Sequence, residues 1–185
     1  MIPSLPKPVK LFIGALYSDT NFLEKAMIDA ENAFSPIDSV SEDFTFIDTT
    51  YYDAEVGTPI YRRFYSFEKL VSPDFLASAK LTTNLIEGRF TIGKNRKVNL
   101  DVGYMDYDKI VLASAKYGIH KISIGSGIYA DMTLHYEKGK FSPYPWAFLD
   151  FQSQYYRSFF LHLRGIYKKQ NNIFIQNFHT PKNTL

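Results

Sequence analysis

The chain has 185 residues, of which 45% are hydrophobic and 22% are charged, and this balance excludes wholesale disorder. It contains no cysteine, which excludes disulfides, thiolate-bound metals and a cysteine nucleophile. The net charge of +2 argues against a strong attraction to nucleic acid or to an anionic membrane.

The first half of the chain alternates short apolar runs with amphipathic stretches. Apolar runs with β-branched and aromatic residues predict strands, and apolar residues three or four positions apart predict helices. Asp19, Thr20 or Asn21 supplies the cap of the first helix, and Pro73 favours the start of the second. We predict, in order, a loose Pro-rich lead-in, a strand, a helix, two strands, a helix and a fourth strand, at residues 1–8, 9–16, 19–35, 43–48, 59–67, 72–90 and from 97 onward.

The second half predicts an antiparallel meander followed by a helix. Apolar and polar residues alternate strictly near residue 130, with Ile128, Ala130, Met132 and Leu134 on one face, which is typical of a half-buried strand. The run 109–116 fits either a strand or a short helix. The predicted elements are strands at 109–116, 120–124 and 127–136, a turn at 138–140, an extended segment at 141–146, a helix at 150–169 capped by Asp150, and a frayed tail at 170–185.

The order β-α-β-β-α-β is that of the split βαβ arrangement of a ferredoxin-like sheet. We therefore expect one α+β domain over residues 1–185, with a ferredoxin-like βαββαβ core, an antiparallel meander extension and a C-terminal helix. The N-terminus lacks the apolar segment of a secretory signal, and no apolar run approaches the roughly 20 residues that cross a bilayer. A cytoplasmic protein without a membrane partner is the expectation.

Charge is distributed unevenly along the chain. Residues 1–150 contain 16 Lys and Arg against 19 Asp and Glu, whereas residues 151–185 contain five basic residues and no acidic residue. A basic C-terminal segment can contact an acidic partner, although such a segment is more often a solvated helix face. Aromatic residues make up 17% of the chain, and we expect them to fill the core rather than to stack on bases.

One spacing resembles a phosphate-binding loop but does not qualify as one. Gly88, Gly93 and Lys94 match G-x-x-x-x-G-K. A true P-loop needs Ser or Thr next, where this chain has Asn95, and it needs a strand before it and a helix after it. Here a helix precedes and a strand follows, so no P-loop is expected.

One group of polar residues lies on the predicted second helix, and another lies on the predicted fourth strand. Lys80, Asn84 and Glu87 lie on one stripe of the second helix, either as a surface ladder of side chains or as groups offered to a ligand. Asn99 and Asp101 point to the same side of the strand. Asp101 either caps its own backbone in an Asx-type turn or, together with Glu87, holds a hard divalent metal.

His120 is the side chain best suited to exchange protons near neutral pH, although a lone histidine is more often structural. Arginine and lysine side chains are available to grip a phosphate or carboxylate. The candidate catalytic residues are His120, Asp101 and Glu87, and the candidate ligand-binding residues are Arg63, Lys80, Asn84, Arg96, Asn99 and Lys116.

These residues also carry a resemblance that extends over nearly the whole chain. The chain resembles the bacterial proteins grouped as domain-of-unknown-function family 4416. The similar positions are residues 7–12, Tyr51, Tyr52, Glu55, Gly57, Arg63, Phe67, Lys80, Asn84, Glu87, Arg96, residues 98–101, Gly103, Tyr104, Lys116, His120, residues 127–129, Trp146 and Asp150.

The resemblance implies no activity, but it does imply that the candidate site residues belong to one recurring pattern. These are Lys80, Asn84, Glu87, Arg96, Asn99, Asp101, Lys116 and His120. The chain departs from the pattern at Val102 in place of Pro, at Lys121 in place of Arg, and at Ala147 and Phe151 in place of Thr and Tyr. Lys121 weakens any bidentate grip on an anion at that position.

Two hypotheses follow from the sequence. The first is a protein that binds or acts on a small anionic ligand resembling phosphate or a nucleotide. The second is a non-catalytic interaction module that uses its sheet face or its basic C-terminal helix. The sequence leaves open whether the protein is an enzyme and whether it uses a cofactor.

Overall fold

The computed structural model describes residues 1–49 and 51–179 and shows a mixed α/β fold built on a large antiparallel sheet. The strands are β1 Val9–Tyr17, β2 Ile37–Val40, β3 Phe44–Thr45, β4 Tyr61–Val71, β5 Thr91–Ile92, β6 Asn95–Arg96, β7 Val98–Met105, β8 Lys109–Ser114, β9 Ile122–Ser123, β10 Tyr129–Glu137 and β11 Lys140–Pro143. The helices are α1 Thr20–Ala33, α2 Asp53–Val56, α3 Leu76–Arg89, α4 Leu149–Gln152 and α5 Arg157–His179, and a 3₁₀ turn at Pro73–Phe75 leads into α3.

The strands of the main sheet follow the order β11-β10-β8-β7-β1-β4-β2, and each neighbouring pair is antiparallel. Strand β3 adds to β4, and β9 adds to the β11 edge of β10. Strands β5 and β6 form a separate hairpin.

Strand β1 is central, and every one of its residues is buried. Successive side chains of a strand point to opposite faces, so β1 contributes to two cores. Leu11 and Ile13 pack in the core that includes residues of α1 and α3. Phe12 packs in the core that includes residues of α4 and α5, with Phe64 and Phe160 around it. The sheet is therefore covered by helices on both faces, which explains the uninterrupted apolar run of β1.

Strands β7 and β8 pair over only three positions and then diverge. Gly103, Tyr104 and Met105 pair with β8. A Cβ on Gly103 would lie 2.6 Å from the backbone oxygen of Val111, so the strands come closest where a side chain is absent. Towards its start, β7 stays paired with β1, whereas the end of β8 stays paired with β10. A gap therefore opens in the sheet between the start of β7 and the end of β8.

Strand β10 contains a register shift that interrupts the predicted alternation of apolar and polar residues. The shift lies between Met132 and Leu134 in the pairing with β8. Ile128 belongs to the core beneath α1 and α3, whereas Leu134 belongs to the core beneath α5. A β-bulge changes the face to which the following side chains point, so the prediction that all four apolar residues share one face was wrong.

The second strand was predicted at residues 43–48, but the longer strand there is β2 at Ile37–Val40, and only Phe44–Thr45 of the predicted segment is extended and paired. Strand β2 was not predicted because its sequence, Ile-Asp-Ser-Val, contains too few apolar residues. The prediction of a third strand at 59–67 found β4, which begins at Tyr61 and continues to Val71.

The predicted meander is also simpler than expected. The run 109–116 forms strand β8 rather than a short helix. Of residues 120–124, only Ile122–Ser123 is a strand, and it pairs with β10 on the edge opposite to β8. Strands β8 and β10 are therefore direct neighbours.

The C-terminal region departs from the prediction in two ways. Asp150 does not cap the long helix, because it is buried within the separate helix α4. Helix α5 continues to His179 instead of ending near residue 169. Gln170 accepts a hydrogen bond from Lys10 Nζ at 2.8 Å, and Asn171 donates one to Tyr107 Oη at 2.8 Å. The predicted tail is therefore helical to His179, and its last residues, 180–185, lie outside the described part of the chain.

In the part of the chain that the structure describes, no helix combines the length and the apolar character that crossing a membrane requires.

Candidate functional site

The gap between β7 and β8 holds a cavity of about 190 Å³. Six of the predicted site residues line it, namely Lys80, Asn84, Arg96, Asn99, Asp101 and Lys116. A second cavity of about 170 Å³ lies next to it and shares Tyr52, Asp101 and Phe148 as lining residues. We call the two cavities together the cleft.

Helix α3 inserts two charged side chains where β8 has left the edge of β7. Lys80 Nζ donates to the backbone oxygen of Leu100 at 3.0 Å, and the backbone N–H of Leu100 donates to Glu87 Oε1 at 2.7 Å. Lys80 is 7% exposed and Glu87 is 3% exposed. The two side chains therefore satisfy backbone groups that a neighbouring strand would otherwise pair, and the surface ladder considered from the sequence was wrong.

Arg96 extends this network towards the short helix α2. Its guanidinium donates to Glu87 Oε2 at 2.5 Å and to the two carboxylate oxygens of Glu55 at 2.5 and 3.0 Å. The paired donation to Glu55 is the bidentate geometry that favours arginine. Arg96 thus holds helix α2 against the end of α3 while it lines the cavity.

A second network on the other side of the cleft centres on Arg62. Its Nη1 donates to Asp101 Oδ2 at 3.0 Å, and its Nε lies 3.1 Å from Asp150 Oδ2. Burial favours the neutral form of Asp101, but the charges of Arg62 and Lys80 outweigh burial and lower its pKa. Burial dominates at Asp150 and raises its pKa despite Arg62. Two neighbouring carboxyl groups therefore have pKa values pushed in opposite directions, a pattern found in sites that exchange protons.

Asp131 of β10 reaches the cavity from the opposite wall. It is 2% exposed, and Oδ1 has no hydrogen-bond partner among the described residues. Oδ2 lies 3.7 Å from Lys121 Nζ and 3.8 Å from His120 Nε2, which is beyond hydrogen-bond distance. Burial raises the pKa of Asp131, and the neighbouring Lys121 and His120 only partly oppose this rise.

His120 is held beside the cavity by a stack of flat rings. Its imidazole stacks on Trp146 at 5.5 Å, and Trp146 stacks on Tyr144 at 4.9 Å between ring centroids. The indole N–H of Trp146 donates to the backbone oxygen of Met132 at 2.9 Å. The stack fixes the plane of the imidazole, and its Nε2 faces Asp131.

One side of the larger cavity combines two lysines with aromatic rings. Lys116 Nζ donates to the hydroxyl of Tyr51 at 2.8 Å, and Lys121 Nζ donates to Ser114 Oγ at 2.9 Å. Lys121 also lies over the ring of Phe148, which is half exposed. Burial, and then the negative charge of Asp101, raise the pKa of Tyr52 to about 12. Tyr52 therefore stays neutral in the middle of the cleft.

The structure does not bring all nine predicted residues together. Arg63 lies outside the cleft, where it donates to both oxygens of Asp43 at 2.5 and 2.6 Å. Neighbouring residues of a strand face opposite sides, so Arg62 enters the cleft and Arg63 cannot. Glu87 and His120 line neither cavity. Glu87 acts on the cleft through Lys80 and Arg96, and His120 lies next to the lining residue Asp131.

The divalent metal considered between Asp101 and Glu87 finds no support in the geometry. Asp101 is engaged by Arg62, and Glu87 is engaged by Arg96 and by the backbone of Leu100. Among the side chains that the structure describes, no group of three or more His, Asp or Glu residues is placed to hold a metal ion.

Several lining residues were not predicted as part of the candidate site, among them Tyr52, Arg62, Lys121, Asp131, Phe148 and Asp150. Asp131 carried a signal, because it stands on the polar face of the alternating strand. Asp150 was assigned to a helix cap, and only its contact with Arg62 reveals another role.

A family model described as Domain of unknown function (DUF4416) matches residues 7–167. No curated protein and no solved structure matches the chain significantly. Since the model covers most of the chain, including both walls of the cleft, the protein belongs to the DUF4416 family.

Proposed function

We propose that the protein binds a small anionic ligand, phosphate-like or nucleotide-like, in the cleft between β7 and β8. The observation that carries this proposal is the charge of the larger cavity wall. Four cationic side chains line it, Lys80, Arg96, Lys116 and Lys121, against the two carboxylates of Asp101 and Asp131. A concave site with an excess of positive charge concentrates anions.

The four cations have different duties in this proposal. Lys80 and Arg96 are matched by Glu87 and Glu55, so their charges are largely balanced and they serve to shape the wall. Lys116 and Lys121 donate to the neutral hydroxyl oxygens of Tyr51 and Ser114. A hydroxyl is a weaker partner for an ammonium group than an anion is, so these two lysines can turn to the ligand at small cost.

The aromatic wall supports a ligand that carries a flat ring beside its anionic group. Tyr51, Tyr52 and Phe148 line the cleft, and Tyr51 and Phe148 are exposed. Aromatic side chains stack on nucleobases without regard to sequence. A nucleotide would place its phosphate near Lys116 and its base against these rings.

Any proton transfer in this cleft falls to His120 in our proposal, rather than to Asp101 or Glu87. The two carboxylates considered from the sequence are committed to Arg62 and Arg96. His120 lies near Asp131, which is free of such a bond, and a histidine has the most suitable ordinary pKa for exchange near neutral pH.

A thermal-shift screen with inorganic phosphate, nucleoside phosphates and dicarboxylates tests the binding proposal. A ligand present at about 100 times its dissociation constant adds about 2.7 kcal/mol to the free energy of unfolding. We expect Lys116→Ala and Lys121→Ala to weaken the response, and Lys94→Ala, an exposed lysine outside the cleft, to leave it unchanged. A flat response to every anion contradicts the proposal.

We also infer that β7, β1, β4 and β2, with α1 and α3, form a ferredoxin-like core to which the remaining strands are added. The order of these four antiparallel strands, with the first strand between the third and the fourth, supports this inference. The cleft would then lie where the added strand β8 leaves the core.

The interaction-module hypothesis has one observation in its favour. The outer face of α5 exposes Lys168 and Lys169 beside Ile173, whereas Leu163 and Tyr167 are buried against the sheet. Because both sheet faces are covered by helices, this outer face is the better candidate for contacting an acidic partner. Charge reversal of Lys168 and Lys169 to Glu keeps the buried face intact, and unchanged partners in a pull-down would exclude α5 as the contact.

A further inference from the structure

Two buried polar atoms in the larger cavity have no partner, one a donor and one an acceptor. We propose that they form a subsite for hydroxyl groups, so that the ligand is a hydroxylated phosphate ester, such as a polyol or sugar phosphate, rather than a bare anion. The subsite lies between Asn99 on β7 and Asp131 on β10. This inference rests on the proposed function, because it names the class of ligand that the same cleft accepts.

Asn99 supplies the donor. It is 4% exposed and lines the cavity. Its amide helps to lower the pKa of Asp101, yet Nδ2 makes no hydrogen bond of ordinary geometry with any described residue. A buried amide nitrogen without an acceptor is costly to the folded protein. A ligand oxygen in the cavity would satisfy it.

Asp131 supplies the acceptor. A purely structural role would have it bind Lys121 and His120, but Lys121 donates to Ser114 Oγ instead, and both side chains stay more than 3.5 Å from the carboxylate. Oδ1 is left without a donor. A ligand hydroxyl that donates to this carboxylate would make a charge-assisted bond, which is stronger than a bond between neutral groups.

The charges also set the direction in which the ligand enters. Asp131 is 2% exposed and repels an anion from the buried part of the cavity, whereas the exposed Lys116 attracts it at the surface. A neutral hydroxyl group can enter where the anion cannot. The ligand therefore needs its anionic group and its hydroxyl groups on different atoms, as in a phosphate ester of a polyol.

Calorimetric titrations with two matched probes test the proposal. Glycerol 3-phosphate and propyl phosphate are both phosphate monoesters of three-carbon chains, and only the first has hydroxyl groups. We expect glycerol 3-phosphate to bind wild type about tenfold more tightly, which corresponds to about 1.4 kcal/mol. Asp131→Leu and Asn99→Leu should each reduce this preference while propyl phosphate binds as before.

The outcomes separate the two proposals. If both probes bind wild type equally well, the hydroxyl subsite is wrong and anion binding stands. If neither probe binds but another anion gives a thermal shift, the subsite is wrong and anion binding stands. If no anion gives a shift, the proposed function and the subsite both fail. Asp131→Asn provides a check that needs no ligand, because a buried carboxylate that lies beyond hydrogen-bond distance of Lys121 and His120 should be replaceable without loss of melting temperature. A clear loss would show that Asp131 is structural and would overturn the subsite.

Discussion

At the scale of single residues, the cleft is organised by one guanidinium that serves two carboxylates. Arg62 lies between Asp101 and Asp150, and its guanidinium carbon is 5.4 Å from the centre of the Phe46 ring. Ion pairs of this kind are poor net stabilisers, but the loss of one partner leaves the other charge buried and unpaired. The geometry of the cleft therefore depends on Arg62 more than on any of its more exposed cations.

The first prediction compares two adjacent arginines. We expect Arg62→Met to lower the free energy of unfolding by about 3–5 kcal/mol, because two carboxylates lose their buried partner. Arg63→Met is the matched control, since its side chain is 26% exposed against 4% for Arg62, and it should cost about 1 kcal/mol or less. Urea denaturation measures both, and equal losses would contradict the account.

A second prediction concerns the pH dependence of stability at Asp131. Burial raises its pKa in the folded protein, so the folded state binds the proton more tightly than the unfolded state does. The resulting stability is present below the ordinary Asp pKa of about 3.9 and is lost as the pH rises through the folded value.

Asp131→Asn cannot undergo this loss. We therefore expect the variant to melt at a higher temperature than wild type at pH 7, and the difference to shrink as the pH falls towards 4. Thermal denaturation across this range measures it. A difference that grows on acidification would show that the folded protein favours the charged carboxylate, contrary to the geometry.

The sequence predicted the grouping of cleft residues only where they lie on the same helix or strand. Helical spacing correctly predicted that Lys80, Asn84 and Glu87 share a stripe, but spacing does not tell what a stripe faces. Arg62 and Asp131 meet their neighbours across long sequence separations. Neither the pairing of strands nor the gap that exposes these residues is encoded in local periodicity.

At the scale of elements, the gap in the sheet is held open by α3. Glu87 accepts from the backbone N–H of Leu100 and from Arg96, and Lys80 donates to the Leu100 oxygen. These side chains occupy the position of a paired strand, so β7 keeps satisfied backbone groups while β8 moves away. The cleft exists because side chains of α3, rather than a neighbouring strand, satisfy this part of the β7 backbone.

The third prediction tests whether Glu87 holds the free edge of β7. We expect Glu87→Ala to cost about 3–5 kcal/mol of unfolding free energy, since Lys80 and Arg96 lose a buried partner. The amide of Leu100 should also exchange its hydrogen faster. Glu24→Ala, on the exposed side of α1, should change stability by about 0.5 kcal/mol or less. Unchanged protection of the Leu100 amide would show that Glu87 does not hold the strand edge.

A fourth prediction tests the docking of α5. Leu163 is fully buried against the sheet. Ile173, about three turns further along the helix and on a different face, is 58% exposed. We expect Leu163→Ala to cost about 2–5 kcal/mol and Ile173→Ala about 0.5 kcal/mol or less. Chemical denaturation measures both, and similar costs would mean that the helix packs through a different face.

Element boundaries show where local patterns fail. Strand β2 follows Pro36 with the sequence Ile-Asp-Ser-Val, which is too short and too polar to indicate a strand without its partner β4. The register shift after Met132 depends on the pairing with β8. Helix α5 continues past residue 169 because Gln170 and Asn171 find partners on distant segments.

At the scale of the whole molecule, the sequence predicted the order of the larger elements and the α+β class. The apolar runs of β1 and β8 and the apolar stripe of α1 are strong local signals, whereas α3 buries Lys80, Thr83 and Glu87 on the face that contacts the sheet. The sequence could not predict that β7 and β8 part after three pairs, because divergence results from the combined packing of β1, β10 and α3. The candidate site lies at that divergence.

The larger groove at the opposite end of β1 provides an internal control for this assignment. It encloses about 660 Å³ and is lined by residues that include Leu11, Phe34 and Phe67. Its single lysine, Lys69, is matched by Asp74, so it lacks the excess of positive charge found in the cleft. Size alone would favour this groove as a binding site, whereas charge and unpartnered polar atoms favour the cleft.

An NMR titration of ¹⁵N-labelled protein with glycerol 3-phosphate distinguishes the two most directly. We expect the largest amide shifts on residues 98–101, on residues 113–116, on Lys121 and on Asp131, the segments that enclose the larger cavity. Shifts that cluster instead around Phe34 and Phe67, or that stay below detection at saturating probe, would contradict the claim that the gap between β7 and β8 is the binding site.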